Sequence, residues 1–150
     1  DRSSGPNPSV ESDDPTVVRV LAIRAEDVLS ALEANERRGA EAVLRVTPPF
    51  SGRMRARLHL EGAESEYDDP VPLHIPPGRF VRAVPPFPDP DETEDELRSD
   101  PDTTYSRAKH RERHERAVEA WREQARDALV EETTIETPAG DRTVRVAILG

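Results

Sequence analysis

EAVLRVTPPFSGRMRARLHL occupies residues 41–60. Its second half alternates strictly. Met54, Ala56, Leu58 and Leu60 fall on one side, and Arg53, Arg55, Arg57 and His59 on the other. Side chains of a strand point to opposite faces in turn, so period-two alternation describes a sheet with one buried and one wet face. The first half, 41–47, is a β-branched apolar run that stops at Pro48-Pro49, and Phe50-Ser51-Gly52 supplies a turn. Together they predict an antiparallel hairpin of strands 41–47 and 53–60.

Working outward, residues 16–23 (TVVRVLAI) predict a strand covered on both faces. A helix follows over 25–38. Val28, Leu29 and Leu32 share a face, Glu26 and Asp27 open it, and Arg37 and Arg38 close it, as the helix dipole favours. Gly39 suits the position just past its end. Short extended pieces are expected at 71–75 and 79–84, broken by Pro76-Pro77-Gly78. Between 85 and 102 eight carboxylates face one arginine, Arg98. That composition predicts a solvated, mobile insertion that contributes little to a core and is removable. A long helix is predicted over 101–131, with Asp100 as its cap and Pro101 in its first turn. Its first half is polar, and its second carries the apolar stripe Val118, Trp121, Ala125, Leu129. A hairpin of 133–137 and 142–149 closes the chain around Pro138-Ala139-Gly140-Asp141. The first 15 residues read as a disordered tail, leaving one α+β domain over 16–150 with the acidic, proline-rich insertion at 85–102. The expected architecture is a mostly antiparallel sheet of about five or six strands, with one short and one long helix on one face. The alternative is a small open β-barrel with a helix across its mouth.

Composition narrows the function classes. With no cysteine, disulfides, thiolate zinc sites and cysteine nucleophiles are excluded. No segment approaches the roughly 18 apolar residues of a membrane helix. No signal-like apolar segment is present, so the expected setting is cytoplasmic and soluble. The chain opens on Asp1 without methionine, as expected where the extreme N-terminus is missing. Thirty-one acidic residues against 21 basic ones give a net charge of −10. All but one of the basic residues are arginine, the exception being Lys109. This carboxylate-rich, lysine-poor composition resembles that of cytosolic proteins of extreme halophiles, where concentrated salt screens the repulsion between exposed carboxylates. A GC-rich genome explains the arginines as well, but not the acid excess.

Chemistry-bearing patterns are few. Arg53, Arg55 and Arg57, joined by Arg45 across the expected hairpin, form a candidate phosphate or nucleic-acid face, because guanidinium binds phosphate bidentately. Against it stand the lack of interleaved aromatics and the weakening of such binding by salt. The bland reading is the ordinary polar side of a half-exposed sheet. His110 and His114 lie four apart on the long helix, but the residues between them do not form the zincin pattern, and arginines crowd the pair. A solvated helix face is the expectation there. The basic run containing Arg107, Arg111 and Arg113 is a candidate face for docking a protein partner, and the acidic run before it can lie against it or regulate access. No G-x-S-x-G or glycine-rich phosphate loop occurs. No cofactor, metal or catalytic residue is assigned. The leading expectation is a non-enzymatic accessory domain of a salt-adapted cytoplasm acting through a protein partner. The alternative is a nucleic-acid binder using the arginine-lined hairpin, and no membrane role is expected.

Overall fold

The computed structural model describes residues 11–60 and 71–150. After a 3-10 turn at Pro15–Val17, capped by the Asp14 side chain, the chain forms β1, Val20–Ile23. Helix α1, Ala25–Arg38, has the predicted bounds, and Gly39 ends it with a φ of 61°. Asn35 near its end hydrogen-bonds both backbone groups of Ala42, at 2.8 and 3.1 Å, and so fixes the start of β2, Ala42–Val46.

The alternating segment then divides. Arg53–Arg55 is β3 and Arg57–Leu60 is β4. β4 pairs antiparallel with β2, as the hairpin requires, but β3 pairs parallel with β1. The reason is local. Prolines 48 and 49 have no N–H, so the β2 ladder cannot run on. Gly52 O instead accepts from the N–H groups of Arg19 and Val20, at 2.8 and 2.9 Å, which delivers the chain to β1. Ala56 sits at the joint, fully buried, donating its N–H to Ala22 O at 3.0 Å.

β5, Leu73–Ile75, completes a three-stranded antiparallel sheet of order β4-β2-β5. The terminal hairpin is β6, Glu132–Thr137, with β7, Gly140–Ile148. β7 adds parallel to β1, giving a four-stranded sheet of order β3-β1-β7-β6. The α+β class holds, but seven strands divide between two sheets, in place of one sheet of five or six. No ladder joins β5 to β6 among the described residues, so the barrel does not close.

One parity of this curved sheet supplies the core: Leu21, Ile23, Leu44, Val46, Ala56, Ile75, Val144 and Val146 cluster with Val28, Leu29 and Leu32 of α1. Leu58 and Leu60 share that parity but are half exposed, because β4 is an edge strand. The segment 79–84 is no strand. Its first residues belong to the 3-10 turn Pro77–Phe80, and Val81 makes a single bridge to Leu129.

The expected solvated insertion is the largest correction. Helix α2 spans Pro90–Ser99, with Asp89 as cap and Pro90 in the first turn, and it buries Thr93 and Leu97. The cap signal assigned to Asp100-Pro101 therefore belongs one element earlier, and Asp100 instead ends α2. Helix α3, Arg107–Asp127, begins at the cap Ser106 and stops short of the predicted end. Val118, Trp121 and Ala125 of its stripe are buried as expected, but Leu129 lies beyond the helix end and is only partly buried. Trp121 is 2% exposed, donates Nε1–H to Pro85 O at 2.8 Å, and meets Phe87 edge-on at 4.9 Å. The polar half of α3 is held by α2, and the helix hardly touches the sheets. α1 and α3 are clamped by Arg122, which bonds Glu33 at 2.7 Å and Glu26 at 2.6 Å, and by Arg126 on Glu26. Of the tail, residues 1–10 lie outside the described residues, as does the acidic stretch 61–70. Ser12, however, bridges Phe50 in both directions at 2.7 Å.

Trp121→Ala should destabilise the fold by about 3–5 kcal/mol, the range for truncating a buried large aromatic. Leu97→Ala should release α2 while sparing the sheets, because Leu97 lies outside the main cluster. Urea melts combined with amide exchange check both. Loss of protection across β1 and β7 in Leu97→Ala would show that α2 is part of the common core.

Candidate functional site: an arginine face on the outer sheet

The parity opposite the core carries the arginines. Cross-strand register places Arg57, Arg45 and His74 in one row over the three-stranded sheet. The next strand pair puts Val43 opposite His59. On the other sheet Val20 lies between Arg53 and Arg145, and Ala22 between Arg55 and Ala147. Arg53 and Arg55 thus share a side of one sheet, and Arg45 and Arg57 a side of the other, with the buried Ala56 between β3 and β4.

The segment's geometry gives this face its spacing. Alternate residues of a strand repeat every ~6.7 Å, and neighbouring strands lie ~4.8 Å apart. Ion pairing is uneven among the described arginines. Arg37, Arg79, Arg98, Arg113, Arg122 and Arg126 are all ion-paired to carboxylates. Among the described residues, Arg53, Arg55 and Arg57 make no ion pair, and Arg55 Nε is buried with no hydrogen-bond partner. Arg45 directly opposite Arg57 is a like-charge cross-strand pair, which opposes folding. His59 and His74 stack with ring centroids 5.5 Å apart on the same side. Sequence reasoning missed His74 and Arg145. His74 lies on a three-residue strand, and Arg145 on a strand whose partner β1 is distant in sequence, and only the register brings them in.

A second basic surface lies on the helices. Arg107, His110, Arg111 and His114 line a groove of about 420 Å³ with Arg37 of α1 and the carboxylate Glu115. Arg113, expected on a docking face with Arg107 and Arg111, instead pairs with Asp100 at 3.3 Å. Nor do the histidines sit on a merely solvated face, since both reach α2. His110 Nε2 donates to Pro90 O at 2.9 Å, and His114 Nδ1 lies 3.2 Å from Thr93 Oγ1. Burial, then the charge of Arg37 and the neighbouring His110, push the His114 pKa down. Among the described residues no three metal-ligating side chains converge, and no helix is long and apolar enough to cross a membrane.

Comparison with known proteins adds a family. Residues 8–150 match the Domain of unknown function (DUF8009), and the chain belongs to that family. No curated protein and no solved structure matches the chain.

The His114 shift has a stability consequence. The unfolded chain binds this proton more readily than the folded one, so stability is full above pH 6.5 and falls as pH drops from there toward the lowered folded value. Glu26, whose carboxyl is held down first by Arg126 and then by Arg122, loses its contribution only below pH 4.5. Urea melts at several pH values should therefore show a first loss beginning near pH 6.5 that is smaller in His114→Gln. An identical loss in that variant would assign the step to another group.

Proposed function

We propose that this is a binding domain whose arginine face takes the sugar–phosphate backbone of a single-stranded nucleic acid. One observation carries the reading. In a chain of net charge −10, Arg53, Arg55 and Arg57 follow one another at alternate positions of one segment and make no ion pair among the described residues. A line of guanidinium groups at ~6.7 Å steps suits successive phosphates of an extended strand. A broad sheet face accommodates a single strand better than the groove of a duplex. Arg45 and Arg145 widen the contact, and bidentate hydrogen bonding adds a directional part beyond bulk charge. Without Phe, Tyr or Trp in these rows, the contacts read backbone and tolerate sequence. The protein-partner reading through α3 has less support, because Arg113 is already engaged by Asp100.

Fluorescence anisotropy with short single-stranded RNA, single-stranded DNA and duplex DNA tests this. The single strands should bind the full chain more tightly than duplex. Replacing Arg53, Arg55 and Arg57 by Gln together should flatten the plot of log affinity against log salt by about 2, given roughly 0.7 per phosphate contact. Arg107→Gln with Arg111→Gln should leave it unchanged. Equal binding by parent and triple variant would remove the reading.

The carboxylate excess we take as an adaptation to a salty cytoplasm. Melting temperature should then rise as KCl goes from about 0.1 to about 2 M, as repulsion is screened and apolar burial strengthened. A flat or falling melting temperature would leave only genome composition to explain the arginines.

A further inference from the structure

The outer edge of β4 stands open. Both backbone groups of Ala42 are taken by the Asn35 side chain, so Ala42 and Leu60 exchange no ladder hydrogen bonds. In an antiparallel ladder bonded and non-bonded pairs alternate, so Leu44 and Leu58 are a non-bonded pair too. The N–H and C=O groups of Leu58 and Leu60 therefore point away from β2. Ala56 has the same parity, and its N–H takes that direction to reach Ala22 O. Beyond Ala56 the segment has left β1. Among the described residues no hydrogen bond reaches the outward groups of Leu58 or Leu60.

The side chains at this edge are apolar, Leu58 being 41% and Leu60 51% exposed. Native proteins blunt such edges with charge, proline or a bulge. Arg57 is the only charged residue of β4, the strand has no proline, and its register with β2 is unbroken. The edge of β6 is treated differently. Arg79 donates to Thr134 O there at 3.4 Å and pairs with Glu136 at 3.1 Å.

We propose that β4 pairs antiparallel with β4 of a second copy, about a twofold axis through the His59 pair. This register sets Leu58 against Leu60 of the other copy, and Leu60 against its Leu58. Each pair exchanges both N–H···O bonds, which uses every outward group. The four leucines share the apolar side, with directly opposed side chains ~5 Å apart. A register centred on Leu58 would oppose Leu60 to Ala56, whose N–H is committed to Ala22. Charge is complementary as well. Glu61 follows Leu60 in the sequence, so the register carried on by one residue opposes a carboxylate to Arg57 of the other copy. The contact is isologous and joins two three-stranded sheets into one. Two leucines per copy make a small contact, below the roughly 1,200 Å² of stable complexes, so the expected Kd is on the order of 0.1 mM. The pairing does not depend on the nucleic-acid reading.

Sedimentation equilibrium of the full chain from about 0.02 to about 1 mM, a range that brackets this Kd, tests the proposal. The mass should rise from 16.7 kDa toward twice that value. Leu60→Lys, which sets a charge against Leu58 of the other copy, should weaken association at least about tenfold. The chain has no cysteine, so single cysteines report the register. His59→Cys should form a disulfide-linked dimer with oxidised glutathione, because opposed Cα atoms of a non-bonded pair lie about 4.5 Å apart. Arg57→Cys should not, since it lies about 14 Å from its own counterpart. A mass of one chain at every concentration would overturn the proposal. So would association undiminished in Leu60→Lys, or cross-linking as ready through Arg57→Cys as through His59→Cys. The mass measurement uses the unaltered chain, so it stands even if a variant fails to fold.

Discussion

The run from Arg53 to Leu60 belongs to two sheets at once, and the buried Ala56 lies where it passes from one to the other. No larger residue fits that joint without displacing the core around it, since interiors are packed near crystal density. The same run also sets the sidedness of the surface. A slip of one residue along this segment would turn Met54 and Ala56 outward and drive Arg53, Arg55 and Arg57 toward the apolar cluster. Register here is therefore enforced by the full penalty of burying charge. The core of the domain and its arginine face follow from a single constraint.

That coupling explains why the alternation was legible while the pairing was not. Period two shows which residues of one strand share a side, and Arg53 and Arg55 fall opposite Met54 as it requires. It carries no information on which neighbour each half of the segment takes. The departure at Ala56 depends on Gly52 reaching the backbone of Arg19 and Val20, a contact between segments more than thirty residues apart. Helix α1 was legible to the residue because its charges, its stripe and Gly39 all agree. Helix α2 was hidden because only Thr93 and Leu97 of its ten residues are buried. A helix that buries so little looks like a solvated run. Its cap, Asp89 with Pro90, was a local signal, but the same signal recurs at Asp100-Pro101 and was placed there.

The position of α2 also accounts for the mixed fate of the basic residues on α3. Its first turn and the residue that ends it engage part of that surface. Asp100 takes Arg113, Pro90 O takes His110, and Thr93 takes His114. Arg98, paired to Glu94 within α2, lies over the Tyr105 ring at 3.8 Å. Arg107, Lys109, Arg111 and Arg116 stay exposed and make no ion pair among the described residues. The acidic segment thus does not neutralise α3 as a whole. It sorts its side chains into those that hold the helices together and those left exposed.

Two pairs of arginines break a local rule. Arg45 faces Arg57 across a ladder, and Arg107 precedes Arg111 by one helical turn. Either arrangement opposes folding in dilute buffer, and neither contributes to the core. Natural sequences are locally consistent except where something other than stability selects the residue. At 1 M salt the Debye length is about 3 Å, so repulsion between neighbouring guanidinium groups largely disappears. Their planar donors are unaffected by screening and still match an oxyanion. A chain with this many carboxylates can therefore keep two concentrations of positive charge at little cost to stability in salt.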